Sequence, residues 1–167
     1  MSKFSLQSTR WLWLSAVVVI LDQITKLIAD RALDLYQSIA VLPLFNFTLL
    51  YNRGAAFSFL AGASGWQRWF FTGLALVISI VIVVTLLRLK PGDNRLAAAL
   101  ALILGGAVGN LIDRVVYGYV IDFIDIYYGS WHWPAFNIAD SAITVGAVLM
   151  IIDSLFSHRD DTAKPSA

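Results

Sequence analysis

Apolar positions in this chain come in long blocks. Trp69 to Leu87 is an uncharged run, and Leu96 to Ile112 is a second, slightly shorter one. Trp11 to Leu21 is too short alone but continues through Asp22, Lys26 and Ile28, while Pro134 to Ile152 is broken once, by Asp140. Crossing the hydrocarbon of a bilayer takes roughly 20 apolar residues at about 1.5 Å of rise each. Each block therefore predicts a transmembrane helix, over about 11–28, 69–88, 96–114 and 137–156. Lys3 and Arg10 ahead of the first block would also suit a cleaved leader. No convincing small-x-small cleavage site follows, and Asp22 stands where the apolar region should continue, so the block is read as a retained span.

Between the blocks the pattern changes. Ile39 to Phe59 is rich in Phe, Leu, Val and Tyr with patches of period two, which predicts strands lying at the membrane surface. Tyr117 to Trp133 is aromatic and reads as a second interfacial segment. Arg88 to Arg95 holds Pro91 and Gly92 and predicts a tight turn. The tail beyond Phe156 is polar and is expected to fray. The fold class expected is a membrane all-α domain with a small β element, spanning 1–167, with outer segments at 29–68 and 115–136. Gly105-x-x-x-Gly109 and Ala142-x-x-x-Gly146 read as seams where helices approach closely. Lys3, Arg10, Arg88, Lys90, Arg95, Arg159 and Lys164 crowd one side, while Lys26, Arg31, Arg53, Arg68 and Arg114 are spread over longer segments on the other. That bias predicts both termini in the cytoplasm.

Composition narrows the chemistry. The 167 residues are 59% hydrophobic and only 14% charged, against about a quarter charged in soluble domains, which agrees with lipid as the solvent. A net charge of +1 gives no basic field for nucleic acid. Cys is absent, which removes thiol nucleophiles, disulfides and Cys-ligated metals. Glu is absent too, so any carboxylate chemistry is aspartate chemistry. His132 and His158 fall on opposite sides of the expected membrane, which argues against a metalloprotease motif or a His-paired serine.

Ionisable groups inside spans are costly and turn towards a partner or a cavity. Here nearly all of them gather at the outer ends of the spans. Asp22 and Lys26 are spaced i,i+4; Asn110, Asp113 and Arg114 lie at i, i+3 and i+4; Asp122 and Asp125 follow, and Asn137 and Asp140 open the last span. Salt bridges account for several of these: Asp22 with Lys26, and Asp113 with Arg114 or Arg53. Asp140 has no cation within helical reach. It suits either a helix cap or catalysis. Two aspartates together at low dielectric share one proton, so that one takes a proton from water while the other gives one to a carbonyl. Such a site needs no metal and no cofactor. Spacing alone leaves open whether Asp122 or Asp125 would pair with Asp140. A proton-coupled transporter would place its acids near mid-span and show a repeat, and a scaffold would neutralise every acid; neither matches this distribution as well.

Five blocks occur here in the order found in the bacterial lipoprotein signal peptidases: Asp22-Gln-Ile-Thr-Lys26, Tyr51-Asn52-Arg-Gly54-Ala-Ala-Phe57, Gly109-Asn110-Leu-Ile-Asp113-Arg114, Val120-Ile-Asp122-Phe123 and Phe136-Asn137-Ile-Ala-Asp140-Ser141. The chain resembles that family from Trp11 to about Phe156. The resemblance implies an aspartyl endopeptidase of the inner membrane. It would remove signal peptides from prolipoproteins before a diacylglyceryl-modified Cys and be blocked by globomycin. Apart from that resemblance, the chain is expected to work as a monomer among membrane lipids. The resemblance also implies that Asp122 and Asp140 are the catalytic pair, that Asn52, Gly54, Asn110, Asp113, Arg114 and Asn137 support substrate and dyad, and that Asp22 and Lys26 are a structural polar pair. Asp125 matches no family position.

Overall fold

In the computed structural model, residues 9–54 and 65–162 are described. Lys3, Phe57, Phe59 and Lys164, named above, lie outside them. Among the described residues, four helices are long and apolar enough to cross a membrane: α1 (Trp11–Ala32), α2 (Trp66–Arg88), α3 (Asn94–Val116) and α4 (Ile138–Thr162). α1 runs past the expected end at 28. Its apolar stretch stops there, but its hydrogen bonding continues until Leu33 donates to the Ala29 carbonyl at 3.0 Å, with Arg31 in the last turn, where a cation suits the helix dipole. α4 likewise continues to Thr162 where the polar tail was expected to fray. No Gly or Pro falls between Phe156 and Thr162 to stop it.

α3 is the hub. It contributes eleven of the buried positions, from Ala97 to Asp113, and packs against each of the other three helices. Small residues allow this. A side chain at Gly105 would strike Val18 of α1, one at Gly106 would strike Ala139 and Ile143 of α4, and one at Gly109 would strike the carboxylate of Asp22. Gly146 of α4 sits as closely on Ala99 and Ile103. Both small-residue stripes thus form close seams, which is how helices associate in lipid, where no hydrophobic effect pulls them together. An apolar cluster of Ile82, Leu86, Ala97, Leu100 and Leu104 joins α2 to α3.

The other end of the bundle carries a four-stranded antiparallel sheet in the order β1 (Ser38–Leu42), β2 (Phe45–Asn52), β3 (Val120–Tyr128), β4 (Trp131–His132). The strands expected between Ile39 and Phe59 are β1 and β2 as far as the described residues reach. β3 and β4 lie in the segment read only as interfacial; its aromatic content hid a run of β-branched and aromatic residues from Val120 to Tyr128. β2 has one extra residue opposite β3, because Phe47 pairs with Ile124 while Leu50 pairs with Asp122. Tyr51 at the end of β2 donates to Asp30 at 2.7 Å and stacks on Tyr119, which ties the sheet to α1. Arg68 donates to the carbonyls of Arg114 and Val115, both at 2.8 Å, closing the C-terminal end of α3.

Candidate active site

Where the sheet meets the bundle, a cavity of about 580 Å³ opens between β3, the ends of α3 and α4 and the segment 133–136. Its polar lining is Asn52, Asn110, Arg114, Asp122, Asp140, Ser141 and Thr144; the remaining wall is apolar, from Val120, Phe136, Ile143, Val145 and their neighbours. Asp122 reaches it from β3 and Asp140 from the first turn of α4. Asp125 does not line it.

Three asparagines aim donors at these two carboxylates, and in each the direction of the amide is fixed from its oxygen end. Asn52 accepts the Gly54 backbone N–H at 3.0 Å, so its NH2 faces Asp122 Oδ2 at 3.0 Å. Asn137 accepts the Asp140 backbone N–H at 2.9 Å, so its NH2 faces Asp122 Oδ1 at 2.7 Å. Asn110 accepts from the Lys26 ammonium at 2.9 Å, so its NH2 faces Asp140 Oδ1 at 2.8 Å. A backbone N–H or an ammonium can only donate, so none of the three amides can be turned over without putting two donors face to face.

The geometry also settles how α4 begins. Asn137, and not Asp140, caps the helix: its side-chain oxygen takes the N–H of Asp140 and its backbone carbonyl that of Ser141. The Asp140 carboxylate is left free for the cavity. Burial, and then the charge of Asp140, push the Asp122 carboxyl up to about 7, against the pull of the Asn52 and Asn137 hydrogen bonds and the Lys26 charge.

Behind the asparagines lies a fully buried cluster. Lys26 sits 2.8 Å from Asp22 and 2.9 Å from Asp113. The sequence reading offered Asp113 a partner in Arg114 or Arg53; its partner is Lys26. Adjacent residues on a helix point to different sides, so Asp113 turns inward to α1 while Arg114 turns to the cavity. Arg114 reaches the Gly54 carbonyl at 3.4 Å and lies over the ring of Phe71. Gln23 was assigned no role in the sequence reading. It donates to Asp113 at 2.9 Å, to the Gly109 carbonyl at 3.2 Å and to Asp22 at 3.3 Å. An amide inside an apolar span, next to Asp22, was the signal available for it.

Asp125 belongs to a separate setting on the other face of β3. Its carboxylate takes bonds from His132 at 2.9 Å, Thr48 at 3.1 Å and Asn46 at 3.2 Å. Burial raises its carboxyl, but these donors outweigh burial and hold it below the usual range.

Four spans, a sheet closing one end of the bundle and a mixed polar and apolar cavity beneath it make this a multi-pass membrane protein. The whole chain superposes on a bacterial membrane enzyme solved by the in meso method at 2.3 Å, with a TM-score of 0.84 and 34% identity, covering 100% of this chain and 99% of that one. Residues 14–156 match the family model for signal peptidase (SPase) II. The lipoprotein signal peptidase of Alteromonas mediterranea is 57% identical over 151 residues, covering 90% of this chain and 82% of that protein. That of Pseudomonas paraeruginosa is 54% identical over 155 residues, covering 92% of each. The chain belongs to the signal peptidase II family.

Proposed function

We propose that this chain is an aspartyl endopeptidase that cleaves the signal peptide from diacylglyceryl-modified prolipoproteins, before the lipidated Cys, at the outer face of the inner membrane. Asp122 and Asp140 are its reacting pair. The observation that carries the reading is that a buried carboxylate, Asp122, and a half-buried one, Asp140, line one cavity from different elements, with every adjoining asparagine held so that it donates to them.

A carboxyl near 7 beside a second carboxylate suits a shared proton at neutral pH. The ionised member takes a proton from water as the water oxygen attacks the scissile carbonyl carbon. The protonated member gives its proton to the carbonyl oxygen, forming a neutral gem-diol. Proton return through the pair then lets the C–N bond break and the amine leave. Arg114 and the asparagine amides supply positive potential to the developing oxygens. The apolar wall from Ile143 and Val145 faces the side from which a lipid-anchored substrate would arrive. In the proposed orientation both termini are cytoplasmic and the cavity faces the periplasm, from which water enters.

The test is cleavage of a diacylglyceryl-modified prolipoprotein by the purified protein in detergent, with and without globomycin, beside Asp140→Asn. Cleavage by the wild type that globomycin blocks, with none by a folded Asp140→Asn, is the expected result. Substantial cleavage by Asp140→Asn would overturn the dyad.

A further inference from the structure

The buried cluster of Asp22, Lys26 and Asp113 does more than neutralise itself. Asp22 Oδ1 accepts the backbone N–H of Ala139 at 2.9 Å. Asp113 Oδ2 accepts the backbone N–H of Ile121 at 3.1 Å. Ala139 is the residue before Asp140, and Ile121 is the residue before Asp122. Each carboxylate of the cluster thus grips the chain one position ahead of one cavity aspartate. Lys26 stands between the two grips, bonded to both, and its third bond sets the amide of Asn110 that donates to Asp140.

We infer that Asp22, Lys26 and Asp113 form a positioning frame that fixes the separation of Asp122 and Asp140. The frame explains features that charge neutralisation does not. An ion pair kept for stability alone is satisfied by its own cation, and in a dry interior it contributes little net stability. Here one oxygen of each acid is directed at a backbone amide, and the two amides belong to different elements, β3 and α4. Gln23 braces the same two acids from α1. β3 also meets the start of α4 directly, through the pairing of Ile124 with Phe136 and the Asn137 amide that donates to Asp122 at 2.7 Å; the frame adds to these a hold on both elements from α1 and α3. A displacement of about 1 Å between reacting groups is enough to cost on the order of 100-fold in rate, so a frame that holds both backbones from one lysine bears directly on turnover.

The inference rests on Asp122 and Asp140 being the reacting pair, and the experiment separates the two. Steady-state cleavage of the lipidated prolipoprotein is measured for the wild type, Asp113→Ala, Asp113→Asn and Lys26→Met, with Asp122→Asn and Asp140→Asn as controls. Asp113→Ala should lower kcat by about 30-fold with KM within about threefold, since the cavity is intact and the pair is misplaced. Asp113→Asn should recover part of that loss. Its amide oxygen can replace Oδ2 towards Ile121 and Lys26, while its NH2 meets the Gln23 NH2, which the Gly109 carbonyl and Asp22 hold in place. Lys26→Met should move the acid limb of the kcat/KM profile up by about half a pH unit or more, because a positive charge near the pair is gone. Wild-type kcat in Asp113→Ala would overturn the frame. So would equally low kcat in the Asn and Ala variants together with a wild-type plateau kcat in Lys26→Met, which is the behaviour of a merely structural cluster. If Asp113→Ala does not fold, the plateau kcat of Lys26→Met decides alone, a loss with KM within about threefold supporting the frame and a wild-type value overturning it; the limb shift reports only the lost charge. Cleavage by either dyad control would sink the dyad and leave the frame without an object.

Discussion

Asp122 and Asp125 lie three residues apart on one strand, both almost wholly buried, yet they have opposite characters. An odd spacing on a strand sends them to opposite faces. Asp125 meets an imidazole, a hydroxyl and an amide, and its carboxyl falls below the usual range. Asp122 meets two amides and a second aspartate across a cavity, and its carboxyl rises to about 7. Both are nearly out of contact with solvent, but Asp122 lies much deeper and loses more of its water. What separates them is whether the donors around each one outweigh the loss of water, and whether another acid lies opposite.

The comparison can be broken in four places. The largest effect is expected from Asp122→Asn, which should lower cleavage by about 1,000-fold or more, while Asp125→Asn stays within about threefold of wild type; the double variant Asp122→Asn/Asp140→Asn should fall little further, as members of one unit are not additive. Next, Asn52→Ala removes one of the two donors to Asp122. Cleavage should drop by about tenfold and the acid limb of the pH–rate profile should move up, because a bond favouring the charged form is lost.

The remaining two effects are on stability. The Asp122 carboxyl is raised in the folded state, so the native protein binds more protons than the unfolded chain between about pH 4 and 7, and stability falls as pH rises through that window. Asp122→Asn removes that loss. Thermal unfolding in detergent should come several degrees higher than wild type above pH 7, by about 5 °C, with the difference vanishing near pH 4. Asp125 has the opposite sign. Its depressed carboxyl contributes stability that is present above the unfolded value of about 4 and is lost as pH falls through the folded one. Asp125→Asn should therefore unfold about 2 °C lower at pH 7 and converge on wild type in acid.

How much of this was legible beforehand varies with the physics involved. The spans could be read because a bilayer imposes a length and a composition on anything that crosses it. Their ends could not, since hydrogen bonding carries α1 and α4 beyond the apolar residues. The polar residues at one end of the spans could be gathered by depth alone, but Asp113 and Lys26 come from different helices, and their pairing depends on how closely α1 and α3 approach at Gly105 and Gly109. Asp122 and Asp125 could not be separated by spacing, because strand periodicity says that they face apart without saying which way. The register of β2, with its extra residue, and the seat of α4 make that distinction.

The Asp22–Lys26 pair has a consequence for the order in which the molecule is made. Asn110 follows Lys26 by 84 residues, and Ala139 follows Asp22 by 117. While the first span is entering lipid, none of those partners has yet been synthesised. At i,i+4 on one helix, the two side chains need only each other. The nascent helix therefore crosses the translocon as a nearly neutral segment in place of one carrying two separate charges, each of which would cost on the order of 3 kcal/mol at mid-bilayer. The counter-ion that travels with Asp22 into the membrane is already in place when α3 and α4 arrive to dock on it.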